Sequence, residues 1–209
     1  EMTSSLVGSE MCIRDSTQYD VVSATETSGD NIADYTVFAG NVLKVTKDGA
    51  SYIDEKGVTK WDVSYAMKMP HAEVCGNYAI VADMNGKDVY VFNVDGEVSR
   101  QTLAYDISNV DIAEQGVYTL VLVGEDCNYI NGYDKDSNTI YELKTTIDKS
   151  GYPMDIDISN DGQKLVTSYM KIQGTKVQSV IAMYNFSSVG QNENCLLYTS
   201  PSPRDSTSS

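Results

Sequence analysis

Through the middle of the chain, apolar residues come in short runs that mostly alternate with polar ones and close on glycine, asparagine or aspartate. Alternation puts one side of a strand inward and the other in water, so the runs predict half-buried β-strands. Four of them open on glycine: Gly40-Asn-Val-Leu-Lys-Val-Thr46, Gly76-Asn-Tyr-Ala-Ile-Val-Ala82, Gly116-Val-Tyr-Thr-Leu-Val-Leu122 and Gly162-Gln-Lys-Leu-Val-Thr-Ser168. They begin 36, 40 and 46 residues apart. A second run follows and ends in a polar turn, as in Val89–Val94 before Asp95-Gly96, or Tyr129–Tyr133 before Asp134-Lys-Asp-Ser-Asn138. Such turns between apolar runs are strong hairpin signals.

A third run spans Val58–Val63, Glu97–Leu103 and Thr139–Thr145, and a fourth covers Val110–Ala113 and Met154–Ser159. In the last, period two places Met154, Ile156 and Ile158 on one face and Asp155 and Asp157 on the other. Four strands per unit of about 40 residues is the span of a propeller blade. The predicted fold is all-β, an incomplete β-propeller arc of about three to four four-stranded antiparallel blades over residues 35–194. A β-sandwich, which also has short strands and regular turns, is the competing architecture. No window combines a helical period with caps. Pro70 and Pro153 each fall just before a predicted strand, where a missing backbone donor does little harm. Residues 17–34 are rich in Ser, Thr and Asp and read as a linker or as the end of a truncated preceding blade.

The two ends have a different character. Leu6 to Ser16 resembles a translation of a transposase adapter used in short-read sequencing, and Cys195 to Asp205 resembles a translation of its complementary strand. Residues 1–16 and 195–209 are therefore expected to be translated adapter flanking a fragment of metagenomic type, with the native ends elsewhere.

Composition narrows the function. The 209 residues carry 30 Asp+Glu against 15 Lys+Arg, a net charge of −15. No basic stripe is present to neutralise phosphates, which argues against nucleic acid as a partner. No run approaches 18 apolar residues.

The residues Gly151-Tyr-Pro-Met-Asp-Ile-Asp-Ile-Ser-Asn-Asp-Gly162, Lys164–Met170, Ile181–Phe186 and Val189-Gly190-Gln191 resemble an uncharacterised bacterial family catalogued as a domain of unknown function. Met69-Pro70, Val81-Ala-Asp83 and Val89–Phe92 fit the same pattern, so the likeness spans about Val37 to Gln191. More distantly, the repeat is similar to quinoprotein-type and WD-repeat propellers, although its one Trp-Asp pair, Trp61-Asp62, is not repeated. The resemblance implies a propeller held outside the cell by a membrane anchor near the N-terminus. It carries over no catalytic residues.

Candidate chemistry is sparse. His71 is the only histidine; a metal site or general base needs partners, and it reads as a loop residue between units. Cys75 and Cys127 lie at unlike positions of the repeat and read as two separate thiols rather than a disulfide. Asp134-Lys-Asp136-Ser-Asn138 opens like a calcium loop, but the sixth position is Thr139 and the twelfth is Thr145, so a hairpin turn fits better. Asp155 and Asp157 share a strand face at a spacing a carboxylate pair could use; a solvated strand face is the simpler reading. No catalytic, cofactor-binding or metal residues are assigned. The expected function is a non-enzymatic, extracytoplasmic, membrane-anchored propeller that binds a protein or cell-envelope partner on one rim. A propeller enzyme of the quinoprotein or carbohydrate-active kind, or a cytosolic WD-repeat-like scaffold, is the alternative.

Overall fold

The computed structural model describes residues 33–186 and 196–201, and no helix occurs among them. The strands form four antiparallel four-stranded sheets, each built from consecutive strands. Sheet 1 holds β1 (Asp34–Phe38), β2 (Asn41–Thr46), β3 (Gly49–Ile53) and β4 (Thr59–Ser64). Sheet 2 holds β5 (Pro70–Cys75), β6 (Tyr78–Asp83), β7 (Asp88–Asn93) and β8 (Gly96–Thr102). Sheet 3 holds β9 (Asp106–Ile112), β10 (Tyr118–Val123), β11 (Asn128–Tyr133) and β12 (Thr139–Thr145). Sheet 4 holds β13 (Tyr152–Ile158), β14 (Lys164–Gln173), β15 (Lys176–Asn185) and β16 (Leu196–Pro201).

Each glycine-led run forms the second strand of a sheet, and the run read as the end of one unit becomes the first strand of the next sheet. The glycines bend the chain between these two strands: Gly76, Gly116 and Gly162 have φ of 58°, 82° and 66°. A left-handed bend of this kind favours glycine.

Three apolar clusters lie between successive sheets. Leu43, Tyr52, Val81 and Phe92 fill the first gap. Ile80, Val91, Ile107, Tyr118 and Leu120 fill the second. Val121, Ile130, Ile156, Leu165 and Tyr169 fill the third. The middle sheets are therefore buried on both faces, which is why β6 (Tyr-Ala-Ile-Val-Ala-Asp) and β10 (Tyr-Thr-Leu-Val-Leu-Val) are nearly continuous in apolar residues. The outer sheets have one covered face, and β2 and β14 alternate accordingly.

In all four sheets the register shifts between the third and fourth strands, leaving Lys60, Val98, Ile140 and Leu197 as the extra residues. A one-residue bulge sharpens the local twist, so the repeat includes its irregularity as well as its strands.

Several expectations change. His71 lies within β5, not in a loop. Pro70 opens β5 and Pro153 lies inside β13; both are first strands at a sheet edge, where a missing donor is tolerated. Met154 is 52% exposed rather than in the core with Ile156 and Ile158. The register jumps between Pro153 and Asp155, so Met154 is a bulged residue and the alternation resumes only after it. Leu196–Pro201, read from its sequence as lying outside the fold, is the outer strand of sheet 4 and pairs with β15. Sheet-edge pairing runs through the main chain and accepts any extended segment, so the pairing does not bear on the origin of these residues. Residues 1–32, 187–195 and 202–209 lie outside the described part, and with them most of both segments read as adapter and nearly all of the predicted linker.

Candidate functional site

The first strands of sheets 2, 3 and 4 lie next to one another and carry a row of acids: Glu73 on β5, Asp111 on β9, and Asp155 and Asp157 on β13. Two of these acids, Asp111 and Asp155, hold neighbouring sheets together. Asp111 Oδ2 accepts from the Ile158 amide of the neighbouring sheet at 2.7 Å, and its Oδ1 accepts from the Ile112 amide at 2.8 Å. Asp155 Oδ1 accepts from Asn109 Nδ2 at 3.0 Å, again across a gap between sheets, and from the Ile156 amide. His71 Nε2 and Glu73 Oε1 lie 2.9 Å apart, both well exposed. Burial pushes the Asp111 carboxyl above its ordinary value; the two amide hydrogen bonds oppose that, and the charges of Asp157 and Glu73 add to it.

A second feature opens at the other end of these sheets, where the β6–β7 and β10–β11 loops meet the β8–β9 connection. There a cleft of about 490 Å³ is lined by Lys87, Tyr105, Asp106, Glu125, Tyr129 and Lys144, among others. Tyr105 and Tyr129 stack with ring centroids 4.9 Å apart, and Tyr105 remains 38% exposed. Lys87 Nζ donates to the Ala104 carbonyl at 3.0 Å and so braces the β8–β9 connection. Contacts with Cys127 and Tyr105 push the Tyr129 phenol well above its ordinary value. The cleft's volume is that of a small-ligand site, and its wall joins an aromatic surface to carboxylates and two ammonium groups.

The residues singled out in the sequence do not converge. Cys75 ends β5 and Cys127 precedes β11; both are free thiols, with Cys127 buried. Burial, with the charges of Glu114 and Asp111, raises the Cys75 thiol. Asp134 closes a hairpin turn: its Oδ1 accepts from the amides of Asp136 and Asn138 at 2.9 and 2.8 Å, and Ser137 takes a φ of 66°. Asp155 and Asp157 are both exposed on β13, but Asp155 is tied to Asn109. Among the described residues no cluster of His, Cys, Asp and Glu has the geometry of a metal site. Sequence reasoning missed the cleft. Tyr105, Glu125 and Asp126 sit in connections between strands, and no periodicity shows that three loops distant in sequence meet.

Sheets of four consecutive antiparallel strands, packed face to face and not closed into a ring, define an incomplete β-propeller. Solved structures agree on the fold. Dihydro-heme d1 dehydrogenase NirN is similar at 12% identity with a TM-score of 0.57, over 82% of this chain and 38% of that one. Hydrazine synthase of Kuenenia stuttgartiensis is similar at 12% identity and a TM-score of 0.54, over 78% and 50%. The Pan2 WD40 domain of Neurospora crassa is similar at 12% identity and a TM-score of 0.50, over 80% and 51%. The chain thus spans about half or less of each of these structures. No curated protein matches it. The chain belongs to DUF5711, a family of unknown function, whose profile matches residues 13–199.

Proposed function

We propose that this chain is part of a non-enzymatic binding propeller, held outside the cell by a membrane anchor, which takes its partner at the cleft between sheets 2 and 3. The observation that carries this reading is the contrast between the two features. Asp111 and Asp155, the acids of the row that lie on adjacent first strands, accept main-chain hydrogen bonds and bridge adjacent sheets through Ile158 and Asn109. The cleft residues come from loops on a rigid scaffold, which is how binding surfaces are commonly made. Around the stacked tyrosines Asp106, Glu125 and Asp126 outnumber Lys87 and Lys144, and Lys87 is turned to the Ala104 carbonyl, so the cleft suits a basic segment of a protein partner. Extracytoplasmic placement rests on the family resemblance; no helix among the described residues is long and apolar enough to cross a membrane.

Titration of the isotopically labelled chain with a lysine-rich peptide, followed by NMR, tests the reading. Shifts confined to Tyr105, Glu125, Asp126 and Tyr129, and lost in Glu125→Lys/Asp126→Lys, are expected. An enzyme reading would draw on the raised Asp111 carboxyl instead. Heat on titration with calcium, abolished by Asp111→Asn, would favour that reading over a binding module.

A further inference from the structure

We infer that the β14–β15 hairpin is a docking element for an anionic lipid surface; this does not depend on the cleft reading above. The second and third strands of sheets 2 and 3 are six residues long, whereas β14 and β15 are ten each. The added length lies at the turn end. β13 pairs with β14 no further than Met170, and β16 pairs with β15 only from Val180. Beyond that, Lys171, Ile172 and Gln173 pair with Lys176, Val177 and Gln178 and, among the described residues, with no further strand. Three residues per strand carry this ribbon about 10 Å past β13 and the described part of β16.

The chemistry of the ribbon departs from the rest of the chain. Lys164 to Asn185 contains no Asp or Glu, in a protein with 30 of them. Near the turn, Ile172 and Val177 lie directly opposite each other, 60% and 57% exposed. Lys171 and Lys176 flank them in sequence, and Lys149 lies beside Lys171, whose Nζ donates to its carbonyl at 3.0 Å. A further blade packed on sheet 4 would cover Ile181 and Met183, but a blade of six-residue strands would not reach the tip.

A ribbon end with an exposed apolar pair on one face and Lys171 and Lys176 on the other matches the boundary between lipid headgroups and acyl chains, where insertion is about 5–10 Å deep. A protein partner is a poorer fit. Each face of so short a ribbon spans roughly 100 Å² by strand geometry, far below the ~800 Å² per side of a standard interface. The net charge of −15 does not forbid the approach, because charges farther away than a Debye length of about 8 Å are screened at physiological salt.

Co-sedimentation of the full chain with phosphatidylglycerol/phosphatidylcholine vesicles, compared with phosphatidylcholine alone, tests the inference. Binding to the anionic vesicles only, weakening with salt, is expected. Each lysine near such a surface contributes about fivefold in affinity, so Lys171→Gln/Lys176→Gln should lose roughly 25-fold. Ile172→Asp/Val177→Asp should abolish binding, while Ile181→Asp, on the same face but inside the paired sheet, should leave it intact. Circular dichroism identifies any variant that has lost its strands. The inference is overturned if the chain binds neither vesicle or both equally, or if folded Ile172→Asp/Val177→Asp binds like the parent. It is overturned equally if the hairpin captures an acidic protein while the vesicles stay unbound.

Discussion

Tyr118 shows how a single side chain can join two blades. Its ring is fully buried and stacks on Tyr133 at 5.2 Å. Its hydroxyl accepts from Gln101 Nε2 of sheet 2 at 2.6 Å and donates to Ser137 Oγ at 3.0 Å. Ser137 Oγ in turn donates to Ser99 Oγ, whose hydroxyl also lies 2.6 Å from the Lys135 carbonyl. Tyr118→Phe keeps the ring but leaves Gln101 and Ser137 short of a partner, so a loss of about 1–2 kcal/mol is expected in urea unfolding. Asp111 behaves differently, because burial holds its carboxyl above the ordinary value. Its charge opposes folding at neutral pH, and that penalty is relieved as pH falls through the folded pKa. NMR titration should therefore give Asp111 a pKa above 3.8, and Asp111→Asn, which keeps an acceptor for the Ile158 amide but not for that of Ile112, should remove the pH dependence this carboxyl adds to stability.

At the level of elements, the same turn chemistry recurs where the third strand passes to the fourth. Asp54 Oδ1 accepts from the amides of Lys56 and Val58, Asn93 Oδ1 from those of Asp95 and Gly96, and Asp134 Oδ1 from those of Asp136 and Asn138. These Asx turns mimic a backbone turn and fix the hairpin. Lys60 and backbone amides hold Asp54 below its ordinary value, and bonds from Asn138 and Asp136 outweigh burial to do the same for Asp134. Depressed carboxylates stabilise the fold above their unfolded value, near 3.8, and lose that contribution as pH falls through the folded value. Acid unfolding followed by circular dichroism should begin below about pH 4, and Asp54→Asn/Asp134→Asn should flatten that limb. Gly132 makes a further test, since a Cβ there would collide with the Tyr141 ring. That ring stacks on Phe186 at 3.7 Å and its hydroxyl meets Thr119 Oγ1 at 2.6 Å. Gly132→Ala should cost about 1–3 kcal/mol, read as a fall in melting temperature.

For the whole molecule, the four-stranded repeat and its length were legible because burial writes itself into the sequence as periodicity. The continuous apolar runs of β6 and β10 even mark the two sheets covered on both faces. Elsewhere the signal failed for physical reasons. The Met154 bulge breaks the alternation from which its face was read. His71 was placed in a loop because strand β5 (Pro-His-Ala-Glu-Val-Cys) has little apolar pattern of its own. The cleft was invisible because it depends on how loops from two sheets meet. Both outer faces leave apolar side chains open. Sheet 1 presents Tyr35 and Val37, 56% and 77% exposed, opposite Lys44 and Val42, and Ser51 hydrogen-bonded to Asp62 at 2.6 Å. Sheet 4 presents Ile181 and Met183, 39% and 40% exposed, beside Val166 and Met170. Apolar sheet faces of this kind drive association, so sheets 1 and 4 are the sides on which a further blade, or a second copy of the chain, should pack.

Light scattering on the chain across a concentration series, with Ile181→Lys/Met183→Lys alongside, tests the open-arc account most directly. The account predicts concentration-dependent association of the parent that the double variant relieves. A parent chain that stays monomeric at every concentration and melts in one cooperative step would contradict it.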